Sequence, residues 1–198
     1  MIWTDHIPEE IGRFYDVHDY HHAAAILARE FPRECEQLFG ALRSFRVNVS
    51  DIIAGGGNES RIPKRIAEAL RPLGWLEQRL NAEHVVDGTA VRQDSHKIDF
   101  VKNRVAFDLE WNSKDQTFDR DLYAFSTFFL FNRISVGVLL TRSKELNDVF
   151  RRLNIMPKYG ASTTWMGKLI PRLESGRNGG CPVLALGIKS SLIVEDVK

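Results

Sequence analysis

Three carboxylates set in apolar sequence are the residues best placed to do chemistry. The stretch 96–120 reads HKIDFVKNRVAFDLEWNSKDQTFDR, with Asp99 nine residues before Asp108 and Glu110 two residues further on. Ile98, Phe100 and Val101 lead into a polar, basic break at Lys102, Asn103 and Arg104, after which Val105, Ala106, Phe107, Leu109 and Trp111 resume the apolar run. Two β-rich runs around a short polar turn predict a hairpin. Alternation along a strand puts Asp108 and Glu110 on one side, and Phe107, Leu109 and Trp111 on the core side. A two-residue turn at Asn103 and Arg104 sets Asp99 directly opposite Asp108, whereas a three-residue turn sets it against Phe107. The first register is the expectation. Three carboxylates on one patch raise one another's pKa unless a cation sits between them. A hard divalent ion held by oxygen answers that need, and Mg²⁺ is the usual one. Such an ion stabilises a phosphate under attack and lowers the pKa of the attacking water. The competing reading is a surface hairpin with solvated acids, and a D-x8-[DE]-x-[EKQ] spacing is too short a pattern to decide by itself.

Elements before and after the hairpin must position these acids. The chain has 198 residues, enough for one domain with a substantial core. Its hydrophobic fraction of 43% and charged fraction of 27% are those of an ordinary soluble protein, and its formal net charge is +1. No global field draws it to polyanions, so any nucleic-acid contact needs basic residues clustered on one face. No apolar run approaches the roughly eighteen residues of a membrane span. The opening MIWTDHIPEE is acidic, unlike a secretory signal. Cys35 and Cys181 are too few for a disulfide scaffold, and each reads as a small buried hydrophobe suited to a reducing cytoplasm.

Residues 1–20 offer Ile7, Phe14, Tyr15 and Val17 to an early strand, and His18, His21 and His22 near Asp16 and Asp19 read as solvated or structural. Apolar stripes predict helices over 20–31 and 33–42, separated at Pro32. An extended segment is expected over 45–53. The glycine run Gly55-Gly56-Gly57-Asn58 lacks the Lys-Ser/Thr of a P-loop and reads as a turn. A helix over 62–73 carries Pro63 in its first turn and stops at Gly74. Asp87-Gly88 predicts a tight hairpin between Val85-Val86 and Ala90-Val91. Beyond the acids, Asp119 reads as the N-cap of a helix over 120–132, with Leu122, Phe125, Phe128 and Phe129 on its apolar side. The run ISVGVLL, 134–140, predicts a strand buried on both faces. Ser143 is the expected cap of a helix over 144–153, with Arg142, Lys144, Arg151 and Arg152 solvated. A helix over 165–173 and a closing strand over 181–188 complete the chain. The expected fold is α/β (α+β): a central mixed sheet with helices on both faces, in one domain spanning 1–198.

The segment HKIDFVKNRVAFDLEWNSKDQTFDRDL resembles the catalytic segment of the BglII/BamHI group of type II restriction endonucleases, within the PD-(D/E)xK nuclease superfamily. The stretch KYGASTTWMGKLIPRLESGRNGGCPVLALGI, 158–188, resembles the C-terminal part of BglII-type enzymes, so the likeness covers roughly 55–188. The resemblance implies a restriction-endonuclease-like fold. It makes Asp99 and Asp108 metal-binding acids, with the backbone carbonyl of Leu109 as a further ligand. Glu110 stands where most of the superfamily has Lys; the BamHI type has Glu there and the BglII type Gln. Its role as base or as a group that orients water stays open. Where the superfamily usually shows Glu at the second acid, this chain has the shorter Asp108, which would draw a metal inward. BamHI-type enzymes carry an acid shortly after a Trp at the point matching Trp75-Leu76-Glu77, which makes Glu77 the candidate fourth acid and tentative metal ligand. Glu59 and Glu68 are weaker alternatives.

DNA contacts are expected from loops beside the acids. Asn112, Ser113 and Lys114 follow Glu110 closely, and Asn can pair with adenine as Lys can with guanine. Lys158, Ser162, Thr163 and Thr164 lie at a predicted helix N-terminus, where backbone N–H groups and hydroxyls suit phosphates or base edges. Arg172 and Arg177, near Gly176, Gly179 and Gly180, could track the phosphate backbone. The reading is a cytoplasmic, homodimeric, Mg²⁺-dependent endonuclease that cuts double-stranded DNA at a palindrome, two-fold protein matching two-fold duplex. By resemblance the site is expected to be six bases with a GATC centre, cut to leave 5′ overhangs. A cognate methyltransferase would act on the same site without stable binding to this chain. The alternatives are a catalytically silent DNA-binding regulator with the nuclease fold, a structural protein with decorative acids, and a repair or RNA-directed nuclease of the same superfamily.

Overall fold

The computed structural model describes residues 3–54, 61–93 and 96–196. The Gly55–Asn58 turn and Glu59 therefore lie outside the described residues.

After a 3-10 turn at Trp3–His6 come α1 (Glu9–Phe14) and β1 (Tyr15–Tyr20), a full strand where an early one was expected. Next come α2 (Ala23–Glu30) and α3 (Pro32–Ser44). Pro32 opens α3, where its missing N–H costs nothing. The extended segment expected over 45–53 is only half realised: β2 is Val47–Asn48, and Val49–Ile53 form α4. The reason lies far along the chain. Asp196 accepts hydrogen bonds from the Ser50 N–H (2.9 Å) and hydroxyl (2.6 Å), satisfying a donor of the first helical turn. α5 (Arg61–Leu70) runs into a 3-10 turn that Gly74 ends at φ +89°, and β3 (Leu76–Arg79) follows. β4 (Ala82–Val86) and β5 (Thr89–Gln93) form the expected hairpin, with Asp87 and Gly88 both at positive φ. The remaining elements are β6 (Lys97–Lys102), β7 (Val105–Leu109), α6 (Thr117–Leu130), β8 (Val136–Arg142), α7 (Leu146–Arg152), α8 (Met166–Glu174), β9 (Val183–Ile188) and β10 (Ile193–Val194).

Six strands make one mixed sheet in the order β1-β9-β8-β7-β6-β3. β7, β8 and β9 pair in parallel; β1 with β9, β6 with β7 and β3 with β6 are antiparallel. The fold is thus mixed α/β with helices on both faces, as the element order predicts. α2, α3, α5 and α7 pack with Phe107, Leu109, Val138, Leu140 and Leu186 on one face. α6 and α8 pack with Ala106, Leu139, Val183 and Ala185 on the other. Every residue of β8 is buried, as a doubly covered parallel strand requires. Gly137 on β8 lets α6 approach closely, since a Cβ there would sit 2.5 Å from the Phe125 ring.

Several local expectations change. β9 is not a closing strand but an interior one, because β1 adds outside it. α6 starts at Thr117, so Asp119 lies inside its first turn and pairs with Arg172 instead of capping. Ser143 caps nothing; Glu145 holds the N-cap position of α7 and the Ser143 hydroxyl is buried without a partner. Arg142 is not solvated but 1% exposed, because it ends a strand covered on both faces. Cys35 and Cys181 are free and buried, and burial pushes their thiols up to about 11 and about 12. Among the described residues no helix is long and apolar enough to cross a membrane.

Candidate active site

The turn of the β6–β7 hairpin decides the site. Asn103 takes a left-handed conformation (φ +50°), and Lys102 pairs with Val105, Val101 with Ala106 and Phe100 with Phe107. That is the two-residue register, and its next step puts Asp99 opposite Asp108. The Asp99 N–H donates to Asp108 Oδ1 at 2.7 Å, so a side chain replaces the ladder acceptor there. On the far face Phe107, Leu109 and Trp111 enter the core, as alternation predicts. β7 effectively continues one residue, since the Glu110 N–H donates to the Leu140 carbonyl (2.9 Å) and the Glu110 carbonyl accepts from the Thr141 hydroxyl (2.7 Å). Leu109, whose carbonyl was expected as a ligand, ends β7 between the two acids.

A bulge aims Asp99. Leu76 pairs with Val101 but Gln78 with Ile98, so Glu77 alone faces both Asp99 and Phe100. A bulge bends its strand and redirects side chains, and it is a frequent neighbour of active sites. Glu77 thus stands beside Asp99 on an edge strand, exposed and paired with Lys97 at 2.6 Å. Glu68, the other described alternative, is exposed on α5.

The electrostatics divide the acids. Asp108 is 4% exposed and its Oδ2 has no hydrogen-bond partner. Loss of hydration, then Asp121, Asp99 and Glu110, push its pKa well above the usual carboxylate range, against the pull of the Asp99 N–H. Glu110 is 8% exposed and is raised chiefly by burial, which hydrogen bonding from Ser113 and the charge of Arg120 oppose. Asp99 is exposed to solvent, yet lost hydration and the Glu77 charge raise it too.

Asp121, on α6, escapes a sequence reading. It is 4% exposed, within hydrogen-bonding reach of Glu110, and burial followed by the Glu110 charge raises it to about 8. A signal did exist: Asp121 falls on the stripe that Phe118, Leu122 and Phe125 make apolar. Arg120 is the cation at these acids, half-exposed, with an Nη 3.5 Å from Asp121 and 3.9 Å from Glu110.

The donor set suits a hard divalent cation. Asp108 and Asp121 each present a buried carboxyl oxygen without a donor, and burial followed by the neighbouring acids raises both pKa values. Among the described residues no three His, Cys, Asp or Glu side chains already converge as a metal cage.

The expected DNA-contact residues fall into two groups. Lys114 and Ser162 are exposed on adjoining strips of chain, with Lys114 bridged to Thr163 and the Asp115 N–H donating to the Ser162 carbonyl (2.9 Å). The others are engaged within the protein. The Asn112 amide donates to the Lys158 carbonyl (3.4 Å); the Ser113 carbonyl accepts from the Thr164 N–H (2.9 Å), and the Ser113 N–H donates to the Thr164 hydroxyl (3.2 Å). The Lys158 ammonium donates to the carbonyls of Ile52 (2.7 Å) and Ala54. Arg172 binds Asp119 with two bonds of 3.0 Å, and Arg177 binds the same carboxylate. Thr163 accepts from Arg142 (2.6 Å), whose Nε reaches the carbonyls of Trp111 (2.7 Å) and Thr164 (3.0 Å). Arg142 therefore ties the chain leaving β7 to the 158–164 loop.

The chain matches the family model described as restriction endonuclease BglII/BglIII over residues 15–188. No curated protein matches it.

Proposed function

The chain belongs to the BglII/BglIII restriction endonuclease family and is a type II site-specific deoxyribonuclease with a restriction-endonuclease-like fold; from that premise we propose an Mg²⁺-dependent homodimer that cuts a DNA palindrome. The observation that carries the reading is the register that sets Asp99 opposite Asp108, whose Oδ1 accepts the Asp99 backbone N–H at 2.7 Å while its buried Oδ2 is left without a donor. Asp99 and Asp108 would hold the cation, with the Leu109 carbonyl beside them and Glu77 at the rim. When bound, a divalent cation would offset the acids' repulsion, favour charge on the phosphate and lower the pKa of water. Glu110, kept basic by burial, orients the attacking water or takes its proton. The water oxygen bonds to phosphorus as the bond to the 3′ oxygen breaks and that oxygen takes a proton from solvent, leaving a 5′ phosphate and a 3′ hydroxyl.

Lys114 and Ser162 are the exposed contacts we assign to DNA. Asn112, Ser113, Lys158, Thr163 and Thr164 shape that edge, and Arg172 and Arg177 reach phosphate only by sharing or leaving Asp119. Residues 1–198 act as one domain, and each subunit cuts one strand of a site with a GATC centre, leaving 5′ overhangs. A methyltransferase of the same specificity protects host DNA without binding this chain, in the cytoplasm.

The test is digestion of plasmid and phage DNA with and without Mg²⁺, followed by sequencing of the ends. Discrete bands with one shared end sequence are expected. Uncut DNA with magnesium present would favour a silent DNA-binding protein, and a smear would favour a repair nuclease.

A further inference from the structure

We propose that Asp121 is an acid of the cation site in its own right, sharing the ion with Asp108 and Glu110 from α6. The proposal rests on the cation reading given above. Phe118, Leu122 and Phe125 dock α6 onto the sheet, and all three are fully buried. A carboxyl on that stripe is costly, because its buried Oδ2 has no group to replace the water it has lost. Its Oδ2 meets no hydrogen-bond partner, and its Oδ1 meets the Arg120 guanidinium at a long 3.5 Å. Asp108, on the strand facing it, has an unpartnered buried oxygen as well. Two inward carboxyl oxygens, one from a strand and one from a helix, are thus both without donors. Glu110 completes the group, within hydrogen-bonding reach of Asp121. Carboxyls in such contact need a proton or a cation between them. Arg120 is too loosely held and too exposed to meet that need alone.

A packing role and a ligand role predict opposite stability effects. If Asp121 merely fills space or bonds neighbouring groups, Asp121→Asn lowers the melting temperature of the metal-free protein. If it waits for a cation, the same change raises it, since an unpaired acid is removed. The experiment is a thermal-shift titration of the full-length, DNA-free protein with MgCl₂, repeated for Asp121→Asn, Asp121→Glu and Asp108→Asn. Wild type should melt higher with Mg²⁺. Asp121→Asn should melt higher without metal, need at least about tenfold more Mg²⁺ for the same shift, and be partly rescued in Asp121→Glu. A wild-type Mg²⁺ response in Asp121→Asn, or a lower metal-free melting temperature, overturns the proposal while leaving Asp99 and Asp108 as ligands. A wild-type response in Asp108→Asn, or no response in wild type, overturns the cation reading itself.

Discussion

Two buried charged clusters meet at the end of β7, and they solve burial in opposite ways. On one side of Trp111, Arg142 is enclosed, stacks on the Tyr159 ring at 5.0 Å, and spends its donors on two carbonyls and a hydroxyl. Burial draws its pKa down only to about 10, so it stays charged. On the other side, Asp108, Glu110 and Asp121 are as deeply enclosed, but two of their oxygens have no donor and all three pKa values are raised. A buried ion whose partners are all present holds the fold together. Buried acids whose partners are missing keep a proton or take a cation, and the proposed site uses the second.

Removing a member of the unpaired cluster should hurt chemistry far more than folding. Asp108→Asn should lower DNA cleavage by on the order of a thousandfold or more, since a metal ligand supports several kcal/mol of transition-state stabilisation. The metal-free protein should melt no lower than wild type. Steady-state cleavage and a melting curve on the same preparation check both halves. A folded, fully active variant would end the contrast.

Removing the ion from the paired cluster should do the reverse. Arg142→Ala strips donors from the Trp111 and Thr164 carbonyls and the Thr163 hydroxyl. Leaving a buried acceptor without its donor costs about 1–3 kcal/mol, so losing several takes a large part of a small protein's stability. Urea unfolding should show that loss. Any remaining folded protein should keep its Mg²⁺ response, because Arg142 faces away from the acids.

The two clusters also differ in how far a sequence reveals them. Asp99 opposite Asp108 was legible because strand alternation and a two-residue turn are local rules. Asp121 was passed over because a helical stripe is read from its apolar members, and the acid among them went uncounted. Arg142 looked solvated because its partners come from Trp111 and Thr164, brought to it by folding alone. Lys158, Arg172 and Arg177 likewise looked free for DNA, whereas carbonyls and Asp119 occupy them. The interior place of β9 depends on β1, more than 160 residues earlier in the chain. The sheet and its two helical layers were legible because β8 and the helix stripes carry their own periodicity.

A pH series sharpens the contrast at smaller amplitude. Asp121 titrates near the ordinary carboxylate value when unfolded and at about 8 when folded, so the folded protein holds more protons in between. Stability from this group is full below the unfolded value and is lost as pH rises through the folded one. The metal-free protein should therefore melt lower at about pH 8.5 than at about pH 6, and Asp121→Asn should flatten that slope. With Mg²⁺ the slope should weaken or reverse, since the cation competes with those protons. An identical slope in Asp121→Asn would show that the proton resides elsewhere.

The smallest test concerns the seam between the clusters. Thr163→Val keeps the shape but removes the hydroxyl that accepts from Arg142 and donates to the Gly160 carbonyl at 2.7 Å. Arg142 retains its two carbonyl acceptors, so the loss should be about 2 kcal/mol, the worth of two modest hydrogen bonds. For a protein of this length that is about 4–8 °C in melting temperature. Thr163 also bridges Lys114, an assigned DNA contact. If the paired cluster positions that edge as well as stabilising it, Thr163→Val should weaken DNA binding in Ca²⁺ while leaving the Mg²⁺ thermal shift intact. If binding is unchanged at the lower melting temperature, the paired cluster serves folding alone, and the division between the two sides of Trp111 is complete.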